Sequence, residues 1–114
     1  MTTNYFYKNS KSKFLEISGQ DSVPFIQNLI TNDINICKAN HFLYSCLLTP
    51  QGKFFADFFI FKNKEKFVFE VHEIFYENFL KKLNIYKLRS DINIEESKQF
   101  YSFLIFGELK IKNH

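Results

Sequence analysis

Apolar and polar positions along this chain repeat with two different periods. Residues 5–8 make a weak strand-like run and 9–13 a polar turn. Residues 14–18 alternate as a half-buried strand does. Asp21 stands where a helix N-cap belongs, ahead of a helix predicted to reach about Ile30, with Pro24 tolerated in its first turn. Phe25, Ile26, Leu29 and Ile30 fall on one stripe of that helix, and Thr31-Asn32-Asp33 ends it. Residues 42–49 and 54–62 read as a hairpin around 50–53, and 67–71 as the third strand of a meander after a turn at 63–66. Residues 73–83 read as a second helix. Ile74, Phe75, Phe79, Leu80 and Leu83 lie near one face, and Lys81 and Lys82 sit in the last turn, where cations suit the macrodipole. Residues 88–94 alternate as a further strand, and 100–106 form a final apolar one. A run of strands with two helices predicts an α+β fold of two layers, with a mainly antiparallel sheet, in a single domain over residues 1–114.

The most informative stretch is 47–61, LLTPQGKFFADFFIF. Pro50 presets φ for the turn and Gly52 accepts φ > 0. The strand after the turn carries one carboxylate, Asp57, among Phe54, Phe55, Phe58, Phe59 and Phe61. A bare carboxylate in an apolar setting is too costly to keep, so Asp57 needs a partner, a ligand or water. One face of this strand offers Phe54, Ala56, Phe58 and Ile60, and the other Phe55, Asp57, Phe59 and Phe61. Both faces are apolar, whereas a sheet open to water on one side alternates. The second face therefore calls for cover by the helices, by a second copy, or by a separate C-terminal partner chain.

These residues resemble the hairpin of the YgfZ/GcvT-like folate-binding family. Residues 25–34, FIQNLITNDI, resemble the family's N-terminal helix and its TND-type turn. Residues 85–95, IYKLRSDINIE, resemble its "YKLR" helix-to-strand junction. The likeness runs from about Phe14 to about Glu95, in family order. It implies the truncated N-terminal fold of the aminomethyltransferase T-protein and tetrahydrofolate as cofactor. It also implies, in the YgfZ branch, support of iron–sulfur protein maturation. Aminomethyltransferases carry paired aspartates on this strand; here the first position is Ala56, which fits the non-catalytic branch. The family's downstream K-G-C-[YF]-x-G-Q-E motif has no counterpart in these residues. The expectation is a fragment, a decayed copy or a short protein that uses half of the old site.

Composition narrows the classes further. Sixteen Phe without Trp reads most simply as a coding bias that also raises Lys, Ile and Asn. A net charge of +3 is too mild for a nucleic-acid domain. The N-terminus has no apolar signal core, and no stretch approaches the ~18 apolar residues of a spanning helix. A cytoplasmic protein without membrane or direct nucleic-acid partners is the expectation. Cys37 and Cys46 lack zinc spacing; Cys46 reads as a small core residue and Cys37 as the more exposed thiol. His41, His72 and His114 show no ligand spacing.

Four residues are candidates for the folate site. Asp57 would hold a pterin or folate nitrogen, against the plainer reading of a carboxylate capped by backbone N–H groups. Asn32 would approach the ligand from the TND turn, against a turn closed by Asx hydrogen bonds. Tyr86 and Arg89, with Lys81, Lys82 and Lys87, make a basic–aromatic patch suited to the folate glutamate tail, against a solvated helix end. Tyr44 reads as core. No residue is assigned a catalytic or metal-binding role.

Overall fold

The computed structural model describes residues 11–37 and 41–97. The elements run β1 (Ser12–Ser18), α1 (Ser22–Gln27), a 3₁₀ turn (Ile34–Ile36), β2 (Leu43–Leu48), β3 (Phe54–Asn63), β4 (Lys66–His72), α2 (Glu73–Lys87) and β5 (Asn93–Ser97). The strands form one antiparallel sheet in the order β2-β3-β4-β1-β5. The α+β, two-layer architecture is the one the sequence pattern predicts. The predicted strands at 5–8 and 100–106 lie outside the described residues.

Alternate residues of each strand build the core between sheet and helices. Leu15 and Ile17 of β1, Ala56, Phe58 and Ile60 of β3, and Phe67, Phe69 and Val71 of β4 face Phe25 and Ile26 of α1 and Tyr76, Phe79 and Leu83 of α2. At its centre the rings of Phe58, Phe69 and Phe79 meet at centroid distances of 5.1–5.9 Å. Each such ring contributes about 1.5–3 kcal/mol by leaving water.

The hairpin turn closes as its residues dictate. Gly52 takes φ +83. Thr49 N donates to Lys53 O at 2.7 Å, and Lys53 N donates to Thr49 Oγ1 at 3.1 Å. The pairing then slips: Leu47 lies opposite Ala56 but Leu48 opposite Phe54, which leaves Phe55 as an extra residue in β3. This bulge turns both Phe54 and Phe55 toward α2. Phe54 meets the Phe75 ring edge-on at 5.7 Å, and Lys82 lies 4.9 Å above the Phe55 ring. Phe55 therefore leaves the face on which strict alternation puts it.

Both helices differ in length from expectation, for tertiary reasons. α1 stops at Gln27 and not near Ile30. Gln27 spends its amide on the next turn: Nε2 donates to Asn32 O and Oε1 accepts from Ile34 N, each at 2.9 Å. Ile30 instead bridges to Leu47. Asp21 occupies the N-cap position, but its carboxylate makes no capping bond. It accepts from Asp91 N at 2.7 Å and ties the helix start to the approach to β5. Gly19 makes this closeness possible, since a Cβ there would lie 2.5 Å from Asp91 O.

The second helix begins on His72, whose Nδ1 accepts from Ile74 N at 3.1 Å. It continues past Leu83 to Lys87, because nothing in 84–87 breaks it and Tyr86 packs on the core. Leu88, at φ +41, ends it. Lys81 and Lys82 thus fall inside the helix and not in its last turn. The strand predicted from Leu88 begins only at Asn93.

The edge strand β2 is partly covered along its outer side. Thr31 N donates to Cys46 O at 3.2 Å, Thr31 Oγ1 accepts from Cys46 N at 3.2 Å, and Asn32 Nδ2 donates to Tyr44 O at 3.1 Å.

Candidate functional site

The face of the sheet turned away from the helices carries the polar residues that chemistry needs. Pleating puts Asp57 on the side opposite Ala56 and Phe58. Register places Cys46 across from Asp57, and Tyr44 across from Phe59. Tyr44 is thereby diagonal to Asp57 on one face, within reach of a long side chain. Its hydroxyl donates to Asp57 Oδ2 at 2.5 Å. Among the described residues Asp57 Oδ1 accepts no hydrogen bond. The bond to the Asp57 carboxylate, followed by desolvation and the charges of Asp57 and Cys46, holds the Tyr44 phenol well above its ordinary range. The Tyr44 and Phe59 rings stand 5.3 Å apart at 57°, with 49% and 37% of their surfaces exposed. Tyr44 is therefore a surface residue and not a core one.

Asn32 reaches this cluster through the backbone. Its Oδ1 accepts from Asp33 N at 2.8 Å while Nδ2 holds Tyr44 O. Asp33 in turn accepts from Asn35 N at 3.0 Å and starts the 3₁₀ turn. The Asx bonds expected of the TND turn are present, and they anchor it beside the Tyr44–Asp57 pair.

Tyr86 and Arg89 are elsewhere. Tyr86 lies on the helix side of the sheet, half-buried under Lys82 at 5.8 Å. It lines a groove of about 550 Å³ with Phe25, Leu29, Leu48, Pro50 and Ser90, where the three family-like segments meet. Arg89 is exposed in the turn after α2. The four candidates thus divide into two pairs, Asp57 with Asn32 and Tyr86 with Arg89, because alternate strand residues and the helix layer occupy opposite faces. The outer face of β2 and β3 thus holds the first pair, and the end of α2 the second.

The cysteines exchange the roles expected of them. Cys37 is buried against Ile60 O, 3.6 Å from Sγ, and burial pushes its thiol up to about 11. The 3₁₀ turn carries Ile34 and Cys37 together into the helix-side core. Cys46 is the half-exposed thiol and faces outward beside Asp57.

A buried carboxylate continues the row that starts at Tyr44. Tyr44 lies opposite Phe59, Phe59 opposite Glu70, and Glu70 opposite Phe14. Glu70 is only 5% exposed, and its Oε1 has no partner among the described residues. Burial raises its pKa above the ordinary 4.5, and a hydrogen bond to Ser12 offsets part of this. Around Glu70 this face is closed over Phe14 and Val68, with Phe42 and Phe61 packed on them. At β2 and β3 it opens to solvent.

The chain belongs to the family described as GCVT N-terminal domain, whose match covers residues 7–107. An "Iron-sulfur cluster assembly factor IBA57 homolog, mitochondrial" from Neurospora crassa is 30% identical over 95 residues, 77% of this chain and 22% of that protein. The "tRNA-modifying protein YgfZ" of Buchnera aphidicola is 31% identical over 91 residues, 80% of this chain and 28% of that protein. An aminomethyltransferase of Clostridium botulinum is 40% identical over 55 residues, 48% of this chain and 15% of that protein. The fold matches the crystal structure of glycine cleavage system aminomethyltransferase T from Bartonella henselae, with a TM-score of 0.72 and 15% identity over 79% of this chain and 25% of that one. The chain spans less than a third of the length of each of these relatives. Among the described residues no helix is long and apolar enough to cross a membrane.

Proposed function

We propose that this chain is a tetrahydrofolate-binding module of the YgfZ-like branch. It supports iron–sulfur protein maturation in the cytoplasm and turns over no substrate by itself. The observation that carries this reading is Asp57, oriented by Tyr44 on an open aromatic face, with one oxygen that accepts nothing among the described residues. Two relatives, named as an iron–sulfur cluster assembly factor and as a tRNA-modifying protein, favour this branch over transfer chemistry.

The position that would hold the first of the paired aspartates is Ala56, wholly buried against the helices. A carboxylate there would face away from Asp57. This counts against an aminomethyltransferase fragment, the reading that the Clostridium relatives and the fold likeness support.

Isothermal titration of the chain with tetrahydrofolate tests the proposal. Asp57→Asn is expected to weaken binding by about 1.5–3 kcal/mol, the range for a hydrogen bond to a charged group. Unchanged affinity removes Asp57 from the site, and no binding by the unmodified chain rejects the folate reading.

The second reading is a docking or dimerisation module. The exposed Tyr44 and Phe59 rings favour it. A second copy of the chain or a separate C-terminal partner chain would cover them, with no nucleic acid or membrane involved. Sedimentation at high concentration tests the homodimer: a clean monomer counts against it.

A further inference from the structure

We infer that Tyr44 is the positioning residue of this site: it pins one oxygen of Asp57 and leaves the other as an acceptor for a planar ligand that presents an N–H donor. The inference rests on the folate reading above and names a residue and a rule of selectivity that this reading does not contain.

Three observations carry it. The first is the hydrogen bond itself. Tyr44 has a single hydroxyl proton, and it is directed at Asp57 Oδ2. A free carboxylate rotates about its last torsion, which is broad and roughly two-fold. A donor at 2.5 Å removes that freedom and points Oδ1 along one direction.

The second is the support behind Tyr44. Asn32 Nδ2 holds the Tyr44 backbone oxygen, and Thr31 bonds both the N–H and the C=O of Cys46 two positions on. The strand that carries Tyr44 is thus braced from its outer side by the TND turn. The braced tyrosine then orients a carboxylate on the neighbouring strand.

The third is the balance of donors and acceptors. The Tyr44 proton is spent on Asp57, and Asn32 Oδ1 is spent on Asp33 N. Asp57 Oδ1 accepts nothing among the described residues. What the cluster offers a ligand is an acceptor beside two exposed rings, Tyr44 and Phe59, that pack on each other. A flat ring with an N–H or amino group satisfies both parts. A ring that presents a lone pair to Oδ1 meets repulsion, because the Tyr44 proton is already committed to Oδ2. The reduced pteridine ring of tetrahydrofolate carries N–H groups on both of its rings and falls in the accepted class.

The test is a double-mutant cycle on the full chain, with Tyr44→Phe, Asp57→Asn and the double variant titrated with tetrahydrofolate. Tyr44→Phe alone is expected to weaken binding about tenfold, the lower end for a lost hydrogen bond to a charged group. In the Asp57→Asn background the same change is expected to do nothing further, since its effect passes through the carboxylate. Additive losses, or equal affinities of the unmodified chain and Tyr44→Phe, overturn the assignment. Thermal unfolding of Tyr44→Phe is expected to match the unmodified chain, which separates positioning from folding.

A readout without ligand keeps the two readings apart. Tyrosine ring-carbon NMR titrations compare the unmodified chain with Asp57→Asn. The charged and polar groups that face the Tyr44 hydroxyl are Asp57 and Cys46. Loss of the carboxylate is expected to bring the Tyr44 ionisation down toward the ordinary tyrosine range. If the unmodified chain binds no tetrahydrofolate, the folate reading fails. The titration then decides the pair: a Tyr44 signal unmoved by Asp57→Asn overturns it.

Discussion

Ala56 and Asp57 are neighbours in the chain and belong to different worlds. Ala56 sits at the bottom of an aromatic core, wholly removed from water, with Phe58 and Ile60 beside it. Asp57 looks out from the other face beside Tyr44, Cys46 and Phe59. The helix-side face is almost wholly apolar, with Ser45 bonded to Thr31 at its edge, and is stabilised mainly by burial. The outer face is apolar too, but it admits carboxylates at Asp57 and Glu70 and leaves two rings in solvent. The contrast teaches that hydrophobic content alone does not say which face is structural. What distinguishes them is exposure, for Tyr44 and Phe59 reach solvent while the helix-side rings of Phe58, Phe69 and Phe79 do not.

Four changes break or sharpen this contrast. Ala56→Asp restores the paired-aspartate pattern in sequence and puts an uncompensated charge in the core. It is expected to cost about 4 kcal/mol and to unfold much of the population, as read by urea denaturation. If the variant folds well and gains aminomethyl transfer, the division between the faces is wrong. Phe79→Ala empties the centre of the Phe58–Phe69–Phe79 cluster. A loss of about 3–5 kcal/mol is expected by the same measurement.

Glu70→Gln probes the buried carboxylate of the outer face. Its folded pKa is raised, so the native state holds a proton that the unfolded chain releases. That contribution is fully present below about pH 4.5 and is lost as pH rises through the folded value. The variant should flatten this decline and gain on the order of 1 kcal/mol relative to the unmodified chain at neutral pH, measured by unfolding across pH. A slope that survives the substitution assigns it to other groups. Phe59→Asp is expected to cost about 1 kcal/mol of stability, since the ring is about a third exposed and packs on Tyr44, while it abolishes any self-association seen in sedimentation. Loss of folding instead would make Phe59 part of the core.

The sequence pattern was sufficient for the sheet, the hairpin and the core stripes, because periods of 2 and 3.6 register burial directly. It was insufficient at the helix ends. Gln27 and Asp21 are used by partners in the TND turn and beside β5, and no local propensity reports such bonds. The cysteines exchanged places for a similar reason. Cys37 is drawn inward by a single 3₁₀ turn, and Cys46 falls on the outer face by strand parity. Tyr44 was within reach of the sequence. Counting back from the turn at 50–53 puts residues 44 and 46 on the face of Asp57, and a tyrosine there has a donor to give. Phe55 was not, because a bulge inserts a residue without announcing itself in composition.

The segment docked along β2 has a consequence for the molecule in a crowded solution. An outermost strand with free N–H and C=O groups invites a foreign strand to add to it, and chains rich in phenylalanine are prone to such growth into fibrils. Ile30, Thr31 and Asn32 already occupy that border from Leu47 back to Tyr44. They act as a selvedge on the sheet. The turn that braces the candidate site thereby also closes most of the β2 border to other copies of this chain.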